Sequence, residues 1–264
     1  MSDATFENRS RLHGAHALVL GGNGHIGKVA IATLLELGAS ITSVDLHAPV
    51  GAEAASAAKL RFVRSDLGTP EGCDEAVIAA ASDADFFGSA FKVIVHCAAL
   101  VGTSDLKGWA VPFADQSIEA WQKALQVNVG SAFRVAQKAA PVLAENSSIV
   151  FVSSIYGFRA PDPSLYRGTA MVNPVAYGVS KAGLLQLVRY LAVELAPRTR
   201  VNAISPGGIE RSQPSLFVDR YEEQTPLRRL GREDDLIGAF GYLASDLSSY
   251  VTGSNLVVDG GWSL

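Results

Sequence analysis

Cysteine is scarce in this chain: Cys73 and Cys97 are the two among 264 residues. Both lie in apolar stretches, with no CxxC pair and no His cluster at metal-ligand spacing, so no metal is expected. A reduced, cytosolic protein is the simplest expectation. A basic surplus is missing as well, since 22 Lys and Arg face 26 Asp and Glu for a formal net charge of −4. That balance argues against a nucleic-acid surface and gives no support to a membrane surface. No apolar run approaches the ~18 residues that a spanning helix needs. The N-terminal stretch from Met1 to His16 is polar and mixed in charge, without the apolar core of a secretory signal. Internal repeats, low-complexity tracts and charge blocks are absent.

What the chain does have is apolar material, 48% of its residues, enough for one sizeable core. It is arranged as short apolar runs alternating with longer Ala- and Leu-rich stretches. Strands are expected at His16–Leu20, Ser40–Val44, Leu60–Val63, Lys92–Val95, Ile149–Val152, Val201–Ile204 and Leu256–Val258. Helices are expected over Ile26–Leu37, from the Thr69-Pro70-Glu71 start, over Ser117–Ala140, and from Asn173-Pro174 to Leu195. Leu100–Gln116 and Ser205–Arg232 fit no regular element. Strands apolar along their whole length, alternating with helices, predict an α/β fold, a doubly wound parallel sheet covered on both faces. Ligands of such sheets bind beyond the carboxyl ends of the strands, so the residues just after each strand are the ones to examine.

After the first strand comes Gly21-Gly22-Asn23-Gly24-His25-Ile26-Gly27, opening directly into a helix. Glycines there let backbone approach a pyrophosphate, and the helix N-terminus offers N–H donors; a bland tight turn would look similar in isolation. The second strand leads into Asp45 and Leu46. A carboxylate at that place accepts hydrogen bonds from ribose hydroxyls and repels a 2′-phosphate, which favours NAD over NADP; a helix-capping Asp is the plainer alternative. Asp66-Leu67 ends the third strand, and Cys97-Ala98-Ala99 follows the fourth, where small residues suit either a cofactor or core packing.

Tyr177-Gly178-Val179-Ser180-Lys181 places a phenol and an ammonium on one helical face. The charge beside the phenol is expected to draw its pKa from ~10 toward neutrality, making it a general acid–base. Ser154 ends the fifth strand at the same edge, positioned to hold a substrate oxygen. Asn128, a poor helix former inside a long helix, has two readings: support of the lysine through a water, or relief of a local kink.

These residues together resemble the short-chain dehydrogenase/reductase superfamily over nearly the whole chain. The matching elements are the Gly-rich turn, Asp66, Asn128, Ser154, Tyr177-x-x-x-Lys181, Pro206-Gly207, and the ending Tyr250–Gly253 through Val257–Gly261. The resemblance implies a single-domain Rossmann-type sheet of about seven parallel strands over residues 1–264. It implies Tyr177 as acid/base, Lys181 as its activator and ribose ligand, Ser154 as the holder of the carbonyl, and Asn128 in a proton relay. Pro206, Gly207 and Ile209 would lie along the nicotinamide. A homodimer or homotetramer through the helices at about 117–140 and 174–195 is implied as well.

Several positions depart from that pattern. His25 stands at a usual glycine, His96-Cys97-Ala98-Ala99 replaces Asn-Asn-Ala-Gly, and Arg211 replaces a hydroxyl residue. The segment Phe158–Ala176 is about ten residues longer than usual. Its residues Ala160-Pro161, Tyr166, Met171 and Pro174, with Ser205–Ile209 and Gln213-Pro214, are similar to bacterial oxidoreductases of flagellin-glycosylation and nonulosonic-acid sugar pathways. The implied activity is hydride transfer between NAD(H) and a secondary alcohol or ketone on a small molecule, including a sugar or sugar phosphate. Arg159, Tyr166, Arg167 and Arg211 are candidate anion binders, with solvated loop charges as the plainer account. The spacing of Gly21, Gly24 and Gly27 also suits a sugar-nucleotide epimerase or dehydratase, for whose further domain a chain ending at Leu264 leaves no room. A non-catalytic NAD(P) sensor is the third alternative.

Overall fold

The computed structural model describes residues 5–49, 59–82 and 90–264. The first four residues of the polar N-terminal stretch therefore lie outside it. The short helix α1 (Phe6–Ser10) is capped by the Thr5 hydroxyl, which accepts from the Asn8 N–H at 3.2 Å. The first strand, β1 (His16–Leu20), is buried at every position. Alternation turns Leu18 and Leu20 into one apolar layer and Ala17 and Val19 into the other. That two-sided burial explains the uninterrupted apolar spelling, and the other central strands share it.

The chain continues through α2 (His25–Glu36), β2 (Ser40–Asp45), β3 (Leu60–Arg64), α3 (Pro70–Ala81) and β4 (Phe91–His96). Thr69 caps α3 and Pro70 sits in its first turn, as the Thr-Pro-Glu signal predicts. Next come α4 (Ile118–Leu125) and α5 (Ser131–Ala139), then β5 (Leu143–Val152), the short α6 (Pro163–Tyr166) and the long α7 (Val175–Glu194). The strand β6 (Thr199–Pro206), helices α8 (Ser215–Gln224) and α9 (Ile237–Ala244), and β7 (Asn255–Val258) complete the described order.

Among the described residues, all seven strands are parallel and run in the order β3-β2-β1-β4-β5-β6-β7. The chain winds outward from β1 to β3, returns, and winds the other way from β4 to β7. The switch point between β1 and β4 opens a crevice at the carboxyl ends of both strands. One face packs Leu18, Leu20, Ile94 and Phe151 under Val77, Val135, Leu184 and Val188. The other packs Val19, Val95, Val150 and Ile204 under Leu34, Phe240 and Leu243.

Three expectations need correction. The stretch 205–232 is not irregular: β6 runs to Pro206 and α8 occupies Ser215–Gln224. Phe217 and Tyr221 are the helix's buried residues, so its hydrophobic periodicity is weak. In 100–116, Phe113–Asp115 forms a single 3₁₀ turn. The helix expected over 117–140 is interrupted by a π-turn at Gln126–Gly130, between α4 and α5.

Candidate active site

The Gly-rich turn is drawn against the sheet by its own backbone. The N–H groups of Gly21 and Gly22 donate to the Val44 carbonyl at 2.8 and 3.2 Å, and Gly24 N–H donates to Gly21 O at 3.2 Å. Gly21 has φ +74°, and a Cβ there would stand 2.6 Å from Ala98 N. A Cβ on Gly27 would strike the Gly21 carbonyl oxygen and come within 2.8 Å of Gly22 Cα. Helix α2 therefore starts hard against the turn, anchored by Ile26, which packs on the sheet. Its N-cap, Gly24, supplies no side-chain acceptor, and its first turn carries no acidic residue. The positive end of the helix is left for an outside anion, which fits the pyrophosphate of a dinucleotide.

Asp45 closes the same turn from the next strand. One carboxylate oxygen accepts from Asn23 N–H at 3.0 Å and the other from Leu46 N–H at 2.8 Å. The Asn23 side chain also bonds to the His47 carbonyl. Arg64 lies opposite Asp45 in the strand register and donates to the Leu46 carbonyl at 3.1 Å. This cation comes from a neighbouring strand, where reading along the chain from Asp45 does not find it. Asp66 folds onto its own loop, accepting from Gly68 N–H at 2.8 Å, and Leu67 is buried beside it.

Across the switch point, the N–H groups of Cys97 and Ala98 donate to the Leu20 carbonyl at 2.8 and 3.1 Å. Ala98 thus forms the wall against which Gly21 fits, and Ala99 is half-buried just beyond it. Burial pushes the Cys97 thiol up to about 12, so it stays protonated. His96 is buried, and its Nε2 lies 2.8 Å from the Ser131 hydroxyl, which donates to the Val127 carbonyl at 2.6 Å. Burial, reinforced by the Lys181 charge, brings that imidazole down to about 3 and keeps it neutral. Where the resembling family has Asn, this chain ties β4 to the π-turn through a histidine and a serine.

Ser154, Tyr177 and Lys181 meet at the carboxyl edge of β5. The turn after that strand lies directly on α7: a Cβ on Gly157 would stand 2.9 Å from the Lys181 carbonyl group. Ser153 Oγ donates to Lys181 O at 3.1 Å. Lys181 is 3% exposed, and its Nζ donates to the Val152 carbonyl at 2.8 Å, while standing 5.8 Å from the centre of the Tyr177 ring. The ammonium is therefore below the phenol ring, bonded to the strand. Tyr177 corrects the expectation of a lowered pKa: burial raises it, and the hydrogen bond with Ser154 pulls the other way. Low dielectric outweighs a cation that is spent on a backbone carbonyl.

Asn128 sits in the π-turn and is fully buried. Its Oδ1 accepts from Leu100 N–H at 2.7 Å, and its Nδ2 donates to Leu100 O at 3.2 Å and to Ser180 Oγ at 2.8 Å. Ser180 in turn donates to the Tyr177 carbonyl at 2.7 Å. Of the two sequence readings, the local distortion is present, and the amide braces α7 beside Lys181 without touching it. A π-turn skips one helical carbonyl, and such turns recur at functional sites.

Burial brings Lys181 down from 10.5 to about 8. Below that value the lysine is protonated in folded and unfolded chains alike. Between about 8 and 10.5 the folded protein has released a proton that the unfolded chain keeps, so stability rises with pH. Measured against Lys181→Met by thermal or urea unfolding, the wild type should gain ~3 kcal/mol across that window. A flat difference between the two proteins would contradict the buried ammonium.

The segment after β6 completes the site. Gly207 N–H donates to Val258 O at 3.0 Å, and Gly208 N–H donates to the Tyr221 hydroxyl at 2.5 Å. Gly208 and Glu210 exchange backbone bonds with Gly231, forming a bridge at Ile209. Pro206 is buried at the end of β6. Arg211 is held by Glu233, whose Oε1 also lies 3.7 Å from His25 Nδ1. Glu233, which the motif reading did not single out, thereby links the two departures at His25 and Arg211.

The family profile described as Enoyl-(Acyl carrier protein) reductase matches residues 23–263. A sorbose reductase of Schizosaccharomyces pombe is 37% identical over 165 residues, covering 59% of this chain and 61% of that protein. Post-translational flagellin modification protein A of Campylobacter coli is 33% identical over 162 residues, covering 60% of this chain and 63% of that one. The chain thus spans about three fifths of these relatives' length. A short-chain dehydrogenase from Leptospira borgpetersenii with bound NAD+ superposes with a TM-score of 0.85 at 28% identity, over 100% of this chain and 98% of that one. The match of profile, relatives and fold makes this chain a member of the short-chain dehydrogenase/reductase superfamily.

Proposed function

We propose that the chain is an NAD(H)-dependent oxidoreductase acting on a secondary alcohol or ketone of a small polyhydroxylated molecule. The observation that carries this reading is the convergence of Ser154, Tyr177 and Lys181 beside an uncapped helix N-terminus. A bound dinucleotide would supply or accept the hydride. Gly21, Asn23, Gly24, His25, Ile26 and Gly27 would hold its pyrophosphate, and Asp45 and Leu46 its adenosine ribose. Asp66 and Leu67 would border the adenine, and Cys97, Ala98, Ala99, Pro206, Gly207 and Ile209 would line the nicotinamide half.

Tyr177 carries the proton that the substrate oxygen gains or loses, and Ser154 donates a hydrogen bond to that oxygen. Lys181 supplies positive charge under the phenol, fixed by the Val152 carbonyl. Asn128 keeps α7 in place through Leu100 and Ser180. The sugar class draws support from the sorbose reductase and the flagellin modification protein among the relatives. A screen of keto-sugars followed by NADH absorbance tests the whole reading; no turnover of any ketone with NADH or NADPH would refute it.

Asp45 favours NAD over NADP in this proposal, because a 2′-phosphate would meet a carboxylate. NADH should bind at least ~10-fold more tightly than NADPH, a difference of about 1.4 kcal/mol. Asp45→Ala should shift the preference toward NADPH, with Arg64 on the neighbouring strand as a cation for the extra phosphate. Tighter NADPH binding by the wild type would overturn the cofactor assignment.

The proposal extends to assembly and location. Ile118, Phe133, Val175, Val179, Tyr190 and Val193 stand exposed on α4, α5 and α7. Those apolar faces support a homodimer or homotetramer through the long helices, and sedimentation at two or four times 27.7 kDa would agree with it. Cys73 and Cys97 are free thiols, in keeping with a single-domain enzyme of the cytoplasm.

A further inference from the structure

The segment between β5 and α7 builds an aromatic wall next to Tyr177. Ile155, Leu165, Phe217, Tyr221, Leu230 and Trp262 are buried in one cluster, with Tyr156, Tyr166 and Met171 packed against it. Tyr156 meets Trp262 edge-on at 6.1 Å, Tyr166 tilts over Phe217 at 5.6 Å, and Tyr221 stacks on Trp262 at 5.6 Å. Packing alone would be served by phenylalanine at 156 and 166. Instead, the two phenol oxygens lie 2.7 Å apart, and Asn173 Nδ2 reaches Tyr166 Oη at 3.5 Å, the outer limit of a hydrogen bond.

Two further polar atoms of this wall, Asn173 Oδ1 and Trp262 Nε1, are buried without a partner. Unpaired buried groups are rare and costly, and they call for an explanation at the site where they occur. The wall also touches the reacting centre. Tyr156 is two residues beyond Ser154, and its N–H donates to Ser154 Oγ at 3.2 Å. Tyr177 interacts electrostatically with both Tyr156 and Tyr166.

The polarity of the wall narrows its ligand. Asn173, Tyr166 and Tyr156 form a chain whose open end is the Tyr156 oxygen. With the Asn173 amide as placed, the protons run toward Tyr156, whose hydroxyl is then a donor; with the amide turned over, Tyr156 offers lone pairs. A hydroxyl can answer either arrangement, whereas a carboxylate or phosphate can answer only the first. Two of the nearby arginines are already engaged. Arg220 is bonded to the carbonyls of Ser164 and Arg167, and Arg211 is bonded to Glu233. Arg159 and Arg167 are exposed.

Resting on the dehydrogenase reading above, we infer that the Tyr156–Tyr166 hydroxyl pair receives a hydroxyl on the carbon next to the reacting one. The substrate class is then a neutral vicinal diol or α-hydroxy ketone, lying against the face of Tyr156. Tyr156 and Tyr166 are specificity determinants, and Asn173 is a positioning residue that acts through Tyr166.

The test uses trans-1,2-cyclohexanediol and cyclohexanol as matched probes, oxidised with NAD+ by the wild type, Tyr156→Phe and Tyr166→Phe. The wild type should prefer the diol in kcat/KM by ~10-fold or more, because a site that bonds a hydroxyl rejects the analogue lacking it. In Tyr156→Phe the diol-to-cyclohexanol ratio should collapse toward one, with the loss falling on the KM of the diol. Tyr166→Phe should lower the ratio less. Saturation-transfer NMR of both probes on NADH-loaded protein measures the same preference without turnover. A wild type that binds both probes alike, or a preference that survives both substitutions, overturns the inference. Preferential diol binding that vanishes in Tyr156→Phe upholds it even without hydride transfer, and that second result would count against the dehydrogenase reading alone.

Discussion

Tyr177→Phe should lower kcat/KM by about a thousandfold on any alcohol the wild type oxidises, while NADH binding stays within about twofold. Positioned general acid–base groups contribute typically 10²–10⁴-fold, and this substitution removes the group while keeping the ring. The Kd is spared because the nucleotide turn, Asp45 and Lys181 all remain in the variant. Burial holds the phenol protonated, so the form at hand is the acid that ketone reduction requires. Alcohol oxidation requires the base. Its kcat/KM should therefore climb with pH through the neutral and mildly alkaline range, and Tyr177→Phe should flatten that climb. A variant that keeps full activity, or a wild-type oxidation rate independent of pH, would remove Tyr177 from its proposed role.

The second large effect is expected at Gly27. A methyl group there falls on the Gly21 carbonyl oxygen and 3.0 Å from its carbon, backbone against backbone, with no side chain able to swing aside. Gly27→Ala should cost about 3 kcal/mol of stability. For a chain of this size that is a fall in Tm of ~6 °C or more. Displacing the helix N-terminus from the anion also loses charge-assisted hydrogen bonds, so the NADH Kd should rise ~100-fold. Gly238→Ala, in α9 with nothing within 4 Å of the added carbon, is the matched control and should be neutral or slightly stabilising. Equal behaviour of the two variants in calorimetry and NADH titration would show that the turn tolerates a side chain.

The strands were legible because two-sided burial demands uninterrupted apolar runs, and Ala17–Leu20 of β1, Val93–Val95 of β4 and Ile149–Val152 of β5 are spelled that way. The first residues of β5 were not legible. Leu143 pairs with Phe91, and the polar Ser147 and Ser148 belong to the strand because β4 and β6 lie beside them, with a register shift in between. Helix α8 was missed because Pro214 gives it no side-chain cap and it buries only Phe217 and Tyr221. Helix α9 was missed for the opposite reason, being apolar nearly throughout and containing two glycines.

Within the site, Tyr177, Lys181, Ser154 and the Gly-rich turn were visible because each sits just past a strand or on one helical face. The direction of the Tyr177 shift was not. Spacing puts an ammonium near the phenol, but only the fold shows that ammonium bonded to Val152 and the ring in a low-dielectric setting. The links from Glu233 to His25 and Arg211, and from Tyr156 to Tyr166, join residues that no local pattern associates.

The π-turn at Gln126–Gly130 is, counted along the chain, one residue more than a regular helix would use. The extra residue is absorbed as a bulge, so deleting Val127 would let ordinary helical bonding run through and leave the faces on either side nearly in phase. Ala120 and Ala124 would keep their buried seats, and Ile118 its exposed one. What the extra residue supplies is local: it swells the helix at Asn128, whose amide there meets Leu100 and Ser180. Shortening this helix by one residue should therefore loosen the brace on α7 while sparing the packing of α4.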